Sequence, residues 1–324
     1  MSTAENPAVT LERLLRQSLH VLKEDGSLAD VVVSQQWLDR ELVRNCCGQV
    51  TVGFESAEDR KLSFDGKLRR TSGMVRVNVW VPDKPEQGIA CRRMRDRITA
   101  EVARVIKENR DRPNRAEYSL IGAGRETNTH KVFYAAAGSE PSPADPSWAE
   151  LDDDEYRRLW YSDDDRVLVE TGDSGKRAFL LFRFKTDAQS GVLQDLTCKF
   201  EGHGRAQSGD GVTVKVWNSS VHAWERAVSG VNQQDEVLTL NVNSNPQDYM
   251  DTEGRVHVLA ETTGQSDGST KASIHCDCAE IEFTVRGATY ADVIGVREMD
   301  EVHVKPFIWR TEVAVKTWAF ETIP

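Results

Sequence analysis

The chain has 324 residues, 39% hydrophobic and 29% charged, with a formal net charge of −11. That balance suits a globular protein of two ordinary domains and excludes a fully disordered chain. No run approaches the ~18 apolar residues that span a bilayer, and the net negative charge disfavours non-specific binding to nucleic acid.

Charge is unevenly spread. Residues 1–135 carry 23 Lys and Arg against 19 Asp and Glu, a net of +4, so the remainder holds −15. Such asymmetry implies two units with different surroundings. Met1 to Thr10 is polar and lacks the apolar core of an export signal. Of the six cysteines, Cys46 and Cys47 are neighbours and Cys276 and Cys278 are one residue apart. That is poor material for a disulfide framework, so free thiols are expected. His275, Cys276 and Cys278 lack the Cys-x-x-Cys spacing of a structural zinc site, and no metal is expected there.

In chain order, Leu11, Leu14, Leu15, Leu19 and Leu22 form a helical stripe opening after Thr10 as N-cap. Val31 to Val33 and Gln49 to Glu55 read as strands, and Asp65-Gly66 as a hairpin turn. From Val75 to Val81 every second residue is Val, a half-buried strand stopped by Pro82-Asp83-Lys84-Pro85. Cys91, Met94, Ile98, Val102, Val105 and Ile106 then follow at helical spacing, with arginines on the other faces. Ser119 to Asn128 is Gly-rich and loop-like, and Lys131 to Ala136 is one more strand.

The composition then breaks. Residues 138–165 hold Pro141, Pro143 and Pro146 and the acidic triplets 152–154 and 163–165, the composition of a linker. Residues 166–287 read as short strands near 178–184, 193–200, 212–217, 236–241, 256–260 and 273–285, which indicates an antiparallel sandwich. After Gly287 come Val293–Met299, Val302–Val304 and a long alternating run from Phe307 to Phe320, which needs a sheet to join.

The order of these features, a leading helix, then Val50-Thr-Val-Gly-Phe, then Val75-Arg-Val-Asn-Val-Trp-Val and the helix from Met94 to Ile106, resembles the tail-terminator (tail-completion, minor tail protein U-like) proteins of tailed phages and tailed archaeal viruses. The likeness covers about residues 10–135. It implies a small α+β domain with a mixed sheet, assembled as a homo-hexameric ring in the virion that caps the tail tube protein and joins it to a neck or head-completion protein. It implies assembly in the host cytoplasm. Such proteins close with a strand soon after the helix, whereas Pro306-Phe-Ile-Trp-Arg-Thr-Glu-Val-Ala-Val arrives only after the sandwich. The expected organisation is therefore α+β: residues 1–137 begin a terminator-like domain, 138–165 link, 166–287 form an inserted jelly roll, and 288–324 complete the first domain. Three domains in a row is the other arrangement.

The sandwich resembles galactose-binding-like and carbohydrate-binding jelly rolls through Val214-Lys-Val-Trp217-Asn218, Trp224-Glu225, Asp248-Tyr249-Met-Asp251 and Val256-His-Val-Leu. That resemblance implies aromatic stacking on sugars of a glycan or host surface, and a structural calcium. Trp217, Trp224 and Tyr249 are the candidate platform. Against it, large aromatics are mostly buried, and Trp217 reads better as core and Trp224 as a cap. Neither Asp triplet has the spaced pattern of a calcium loop, so no cofactor is assigned. Arg92, Arg93, Arg95 and Arg97 could face DNA passing through a ring lumen, or pair with acidic groups of another subunit. There is no Gly-x-Ser-x-Gly, His-Glu-x-x-His or phosphate loop, so the sequence reads as no enzyme. Two functions are expected: a tail-terminator subunit or, alternatively, a carbohydrate-binding adhesin.

Overall fold

A computed structural model describes residues 4–35, 37–63, 67–83, 88–300 and 307–322. The expected turn at Asp65-Gly66 and strand at Val302–Val304 lie outside the described residues. The chain divides into two compact units, Met1–Ala116 with Val285–Pro324, and Glu117–Thr284. No described helix is long and apolar enough to cross a membrane.

The first unit opens with α1 (Pro7–Ser18), β1 (Val31–Ser34), α2 (Arg40–Asn45), β2 (Gly48–Lys61), β3 (Leu68–Pro82) and α3 (Gly88–Glu108). The cap of α1 is Asn6, not Thr10: its side chain accepts from the Ala8 N–H at 2.9 Å, with Pro7 in the first turn. The helix stops at Ser18, so Leu19 and Leu22 fall beyond it, and Leu22 is exposed. The Thr10 hydroxyl, buried, donates to Glu5 instead.

The chain next builds the second unit: β4 (Arg115–Ser119), β5 (Lys131–Ala137), β6 (Ala149–Glu150), α4 (Asp153–Arg158), β7 (Val167–Thr171), β8 (Arg177–Lys185), β9 (Leu193–Arg205), β10 (Val212–Asn218), β11 (Ala223–Ser229), β12 (Glu236–Val242), β13 (Arg255–Thr262) and β14 (Ala272–Val285). It then returns to the first unit with β15 (Tyr290–Glu298) and β16 (Ile308–Thr322).

In the first unit five strands run in the order β1-β2-β3-β16-β15. Only β1 and β2 are parallel, and β16 pairs antiparallel with β3 over its whole length, from Ile308↔Pro82 to Thr322↔Leu68. Alternation sends Val50, Val52, Val75, Val77, Val79, Val313 and Val315 to one face, where the stripes of α1 and α3 cover them. The other face, expected to be solvated, is open at Arg76 but covered at one end. Trp80 is 1% exposed among Val43, Cys46 and Ile308, its indole N–H donates to the Thr51 hydroxyl at 2.9 Å, and the Arg310 guanidinium lies 4.4 Å from its ring centre.

The second unit is a sandwich of a six-stranded sheet, β11-β10-β13-β8-β5-β6, and a second sheet, β12-β9-β14-β4, with β7 added to β14. Val214, Val216, Val258, Phe182 and Phe184 on the first sheet are buried, as are Cys198, Phe200 and Leu240 on the second. Phe182 and Phe200 meet edge-to-face at 6.2 Å between ring centres. All six cysteines are free, and Cys198 and Cys276 lie wholly inside.

The expected boundaries require correction. The first unit pauses at Ala116, not at residue 137, so β5 belongs to the sandwich, and the second unit ends at Thr284. Residues 138–165 are not a linker: they carry β6 and α4 and are built into the second unit. Asp152 of the first acidic triplet caps α4, accepting from the Glu155 N–H while Glu155 accepts from its own. Tyr156 on that helix is fully buried, its hydroxyl accepting from the Val132 N–H at 2.8 Å.

Candidate functional site

The six-stranded sheet of the second unit turns one set of side chains away from the core. On β8 and β13 the register aligns Leu181 with Leu259 and Arg183 with His257. Leu181 and Leu259 point outward by alternation yet are about 1% exposed or less. The Pro-rich segment 138–148 is tied to this sheet through Glu140 and Pro141. Glu140 forms an ion pair with Lys215 of β10, the Pro141 carbonyl accepts from the Trp224 indole at 2.8 Å, and Ser142 accepts from the Trp148 indole at 2.8 Å through its carbonyl.

Where this segment stops, the face opens into a cleft of about 980 Å³. Its walls are the segment Ser142–Ala144, the loop after β10 with Ser219, Ser220 and His222, and the loop before β13 with Asp248 and Asp251. Trp217, Arg183, Arg255 and His257 line it from the strands. The composition is that of a site for a polar ligand with one broad apolar face.

Local geometry sets the tryptophan. Trp217 pairs with Trp224 across β10 and β11, their rings edge-to-face at 5.0 Å. The ladder carries a bulge here, with Lys215 opposite Ala227 and Val216 opposite Glu225, so that Arg226 is the extra residue, at φ 52°. Arg226 donates to the Tyr249 hydroxyl at 3.2 Å, and that hydroxyl donates to Glu225 at 2.9 Å. Glu225 also accepts from Asn218 at 2.8 Å, and these two bonds, Asn218 first, hold its carboxyl below the usual range.

The three aromatic candidates therefore separate. Trp217 is half-buried and lines the cleft. Trp224 spends its N–H on Pro141, as a cap would. Tyr249 is 3% exposed with its hydroxyl engaged, so its place in a sugar platform is corrected to one in the wall behind it. Arg183 and His257 escaped the sequence reading. The signal was present: Phe-Arg-Phe at 182–184 and Val-His-Val at 256–258 each put one polar side chain in an apolar run, on the face opposite the core.

At the cleft floor, His257 is 9% exposed and its Nδ1 has no hydrogen-bond partner among the described residues. Burial pushes its pKa down to about 4, so the ring is neutral near pH 7. Burial, and then Arg255, also lower the pKa of Arg183.

The second acidic triplet finds partners far along the chain. Carboxylate oxygens of Asp164, Asp235 and Asp277 lie within 4.8 Å of one another. Arg166 reaches both Asp164 and Asp235, so the group already carries a cation, and Asp277 accepts from the Asp164 N–H at 3.2 Å. Alternation on β14 leaves Cys276 wholly buried while His275 stacks on His203 with ring centres 4.5 Å apart.

The four arginines of α3 do not form one basic face. Arg95 is fully buried, bonded to Asp96 at 2.6 Å and to Asp300 at 2.7 Å, and lies over the Trp309 ring at 5.7 Å. Arg93 and Arg97 are more open and both approach Glu24, at 3.4 and 3.8 Å. Arg92 lies over Trp309, 3.9 Å from Glu298. Each has an acidic neighbour within its own unit.

The family model AF_1625_C, described as "uncharacterized protein, C-terminal domain", matches residues 127–285. No curated protein matches the sequence. Solved structures to which the chain is similar include a xylan-binding module, CBM15, at 10% identity over 54% of this chain and 99% of that one, with a TM-score of 0.30. A non-crystalline cellulose-specific carbohydrate-binding module, CBM28, matches at 17% identity over 45% and 84%, with a TM-score of 0.25. The winged bean acidic lectin complexed with methyl-α-D-galactose matches at 9% identity over 53% and 99%, with a TM-score of 0.28.

Proposed function

We propose that the second unit is a carbohydrate-binding β-sandwich, and that the sugar chain lies in the cleft on the outer face of its six-stranded sheet. The observation that carries this reading is the cleft itself, where the half-buried Trp217 ring stands beside hydrogen-bonding side chains from four separate segments. A sugar ring has one apolar face and a rim of hydroxyls, and that combination satisfies both. The names of the similar structures run the same way, but the reading stands on the cleft. No hydrolytic pair is assigned, and the unit acts as a binder. The test is a glycan array on the full chain followed by titration of the hits: Trp217→Ala weakens binding by about tenfold or more while melting as a folded protein. An array without hits removes the reading.

A second reading concerns the first unit, as a tail-terminator subunit that assembles with copies of itself between a tail tube and a neck. What favours it is the mixed five-stranded sheet crossed by α3 and closed by β16, the arrangement that the N-terminal resemblance implies. From Gly53 to Lys61, β2 is exposed, a surface available to a neighbouring subunit. Native mass spectrometry of the purified chain separates the outcomes: a closed ring of subunits supports the terminator, and a monomer in the presence of tail tube protein removes it.

A further inference from the structure

The cleft floor is built for more than a neutral sugar. Arg183 and His257 are cross-strand partners on the outward face, deep in the cleft, where Trp217 is also a lining residue. Among the described residues Arg183 has no carboxylate bound to its guanidinium, which rests over the Phe133 ring at 5.0 Å. The carboxylate of Glu150, on the same sheet, is taken by Lys131 at 2.9 Å and by the Tyr156 hydroxyl at 3.1 Å. A half-buried guanidinium without a directly bonded anion is costly, because a charge removed from water needs a partner.

Glu150 and the rim's Asp251 favour the charged Arg183 through space, but neither bonds to it. Asp251 accepts from the backbone N–H groups of Glu253 and Arg255, both at 2.8 Å, and so closes its own loop. Asp248 accepts from the Ser220 hydroxyl at 3.2 Å. Arg255, the second arginine of the cleft, pairs with Glu253. The cation left over is Arg183, and beside it His257 Nδ1 is a buried polar atom with nothing to bond.

We propose that this cleft selects acidic glycans, with the anionic substituent of one sugar, a carboxylate or a sulfate ester, seated on Arg183. The inference rests on the carbohydrate-binding reading and adds the ligand's charge. Arg presents a planar fork that matches a carboxylate in two parallel bonds, and such charge-assisted bonds are about twice as strong as neutral ones. The second unit lies in the acidic part of the chain, so attraction to a polyanion is confined to the floor of the cleft, not spread over the surface.

The test is calorimetric titration of the full chain, at physiological salt, with oligomers of galacturonate, mannuronate and glucuronate-substituted xylan. The galacturonate methyl ester, unsubstituted xylan and a sulfated glucan complete the panel. The expected result is binding of at least one acidic oligomer, tighter than its neutral counterpart by about tenfold or more, the factor that one charged hydrogen bond supplies. Carboxylate over sulfate, or the reverse, identifies the substituent. Arg183→Met removes the guanidinium and erases the preference, so that each acidic oligomer binds no tighter than its neutral counterpart. Equal or better binding of the neutral oligomers overturns the acidic selectivity but keeps the carbohydrate site. No binding by any glycan overturns both.

Discussion

Trp224 donates its indole N–H to the carbonyl of Pro141 at 2.8 Å, a bond between residues 83 positions apart that fixes a proline-rich segment to a sheet. One wall of the cleft, Ser142 to Ala144, follows directly after that anchor. The shape of the site thus depends on a contact outside it.

Replacing Trp224 by Phe keeps an aromatic ring and removes the donor. The Pro141 carbonyl then loses its partner, at a cost of about 1–3 kcal/mol. Hydrogen exchange in residues 138–148 rises while the sandwich strands keep their protection. Unchanged exchange there would mean that the Glu140–Lys215 ion pair holds the segment without help.

Trp217 has a different role from its partner. Trp217→Ala removes the apolar wall of the cleft, and because the ring is half-buried the stability loss stays moderate, about 1–3 kcal/mol. Glycan binding is lost by about tenfold or more. Denaturant unfolding and titration on the same sample check both numbers, and Tyr249→Phe, behind the wall, serves as the contrast. It weakens Glu225 and Arg226 contacts and leaves affinity within about twofold, as expected of a group that touches no ligand.

Acid weakens the second unit through its buried histidines. Burial lowers both His130 and His257 to about 4 from an ordinary 6.5. Between those values the unfolded chain binds more protons than the folded one, so stability is complete above pH 6.5 and falls as the pH drops toward 4. Each unit of difference is worth about 1.4 kcal/mol. Asp277 and Glu261, pushed up by burial, work in the opposite direction, so the measurement is a difference. The melting temperature of His257→Gln falls less than that of the wild type between pH 7 and 5. Parallel curves would refute the assignment.

Among the arginines of α3, burial separates one from the others. Arg95→Met strands Asp96 and Asp300 without their cation and costs about 1–3 kcal/mol, moderated because both carboxylates keep contact with water. Arg93→Ala, at an exposed pair with Glu24, changes stability by about 0.5 kcal/mol or less. Thermal denaturation of the two variants distinguishes a structural arginine from a solvated one. Equal losses would contradict the placement of Arg95.

Much of the secondary structure was legible because it rests on local periodicity. Val75 to Val81 and Phe307 to Phe320 alternate as strands, and the stripe from Cys91 to Ile106 repeats as a helix, since a period of two or of three and four fixes one face wherever the partner comes from. Composition misled over residues 138–165. Proline and aspartate are common in linkers, but Pro141 is buried and Asp152 caps a helix, and both facts depend on what the fold brings next to them.

The sequence by itself determined most strands of the sandwich, β8, β9, β10, β12, β13 and β14 with β5, but not β4, β6, β7 or β11, together with the helical stripes and the cysteines as free thiols. Only the tertiary structure decided which outward-facing residues meet. Arg183 and His257 are 74 positions apart and share a cleft floor through the register of β8 and β13. Arg95 reads like its neighbours in the sequence and is buried because Asp300 and Trp309 arrive from beyond residue 298. Periodicity is a property of a segment, whereas burial, pairing and the shape of a cleft belong to contacts between distant segments, which no local pattern specifies.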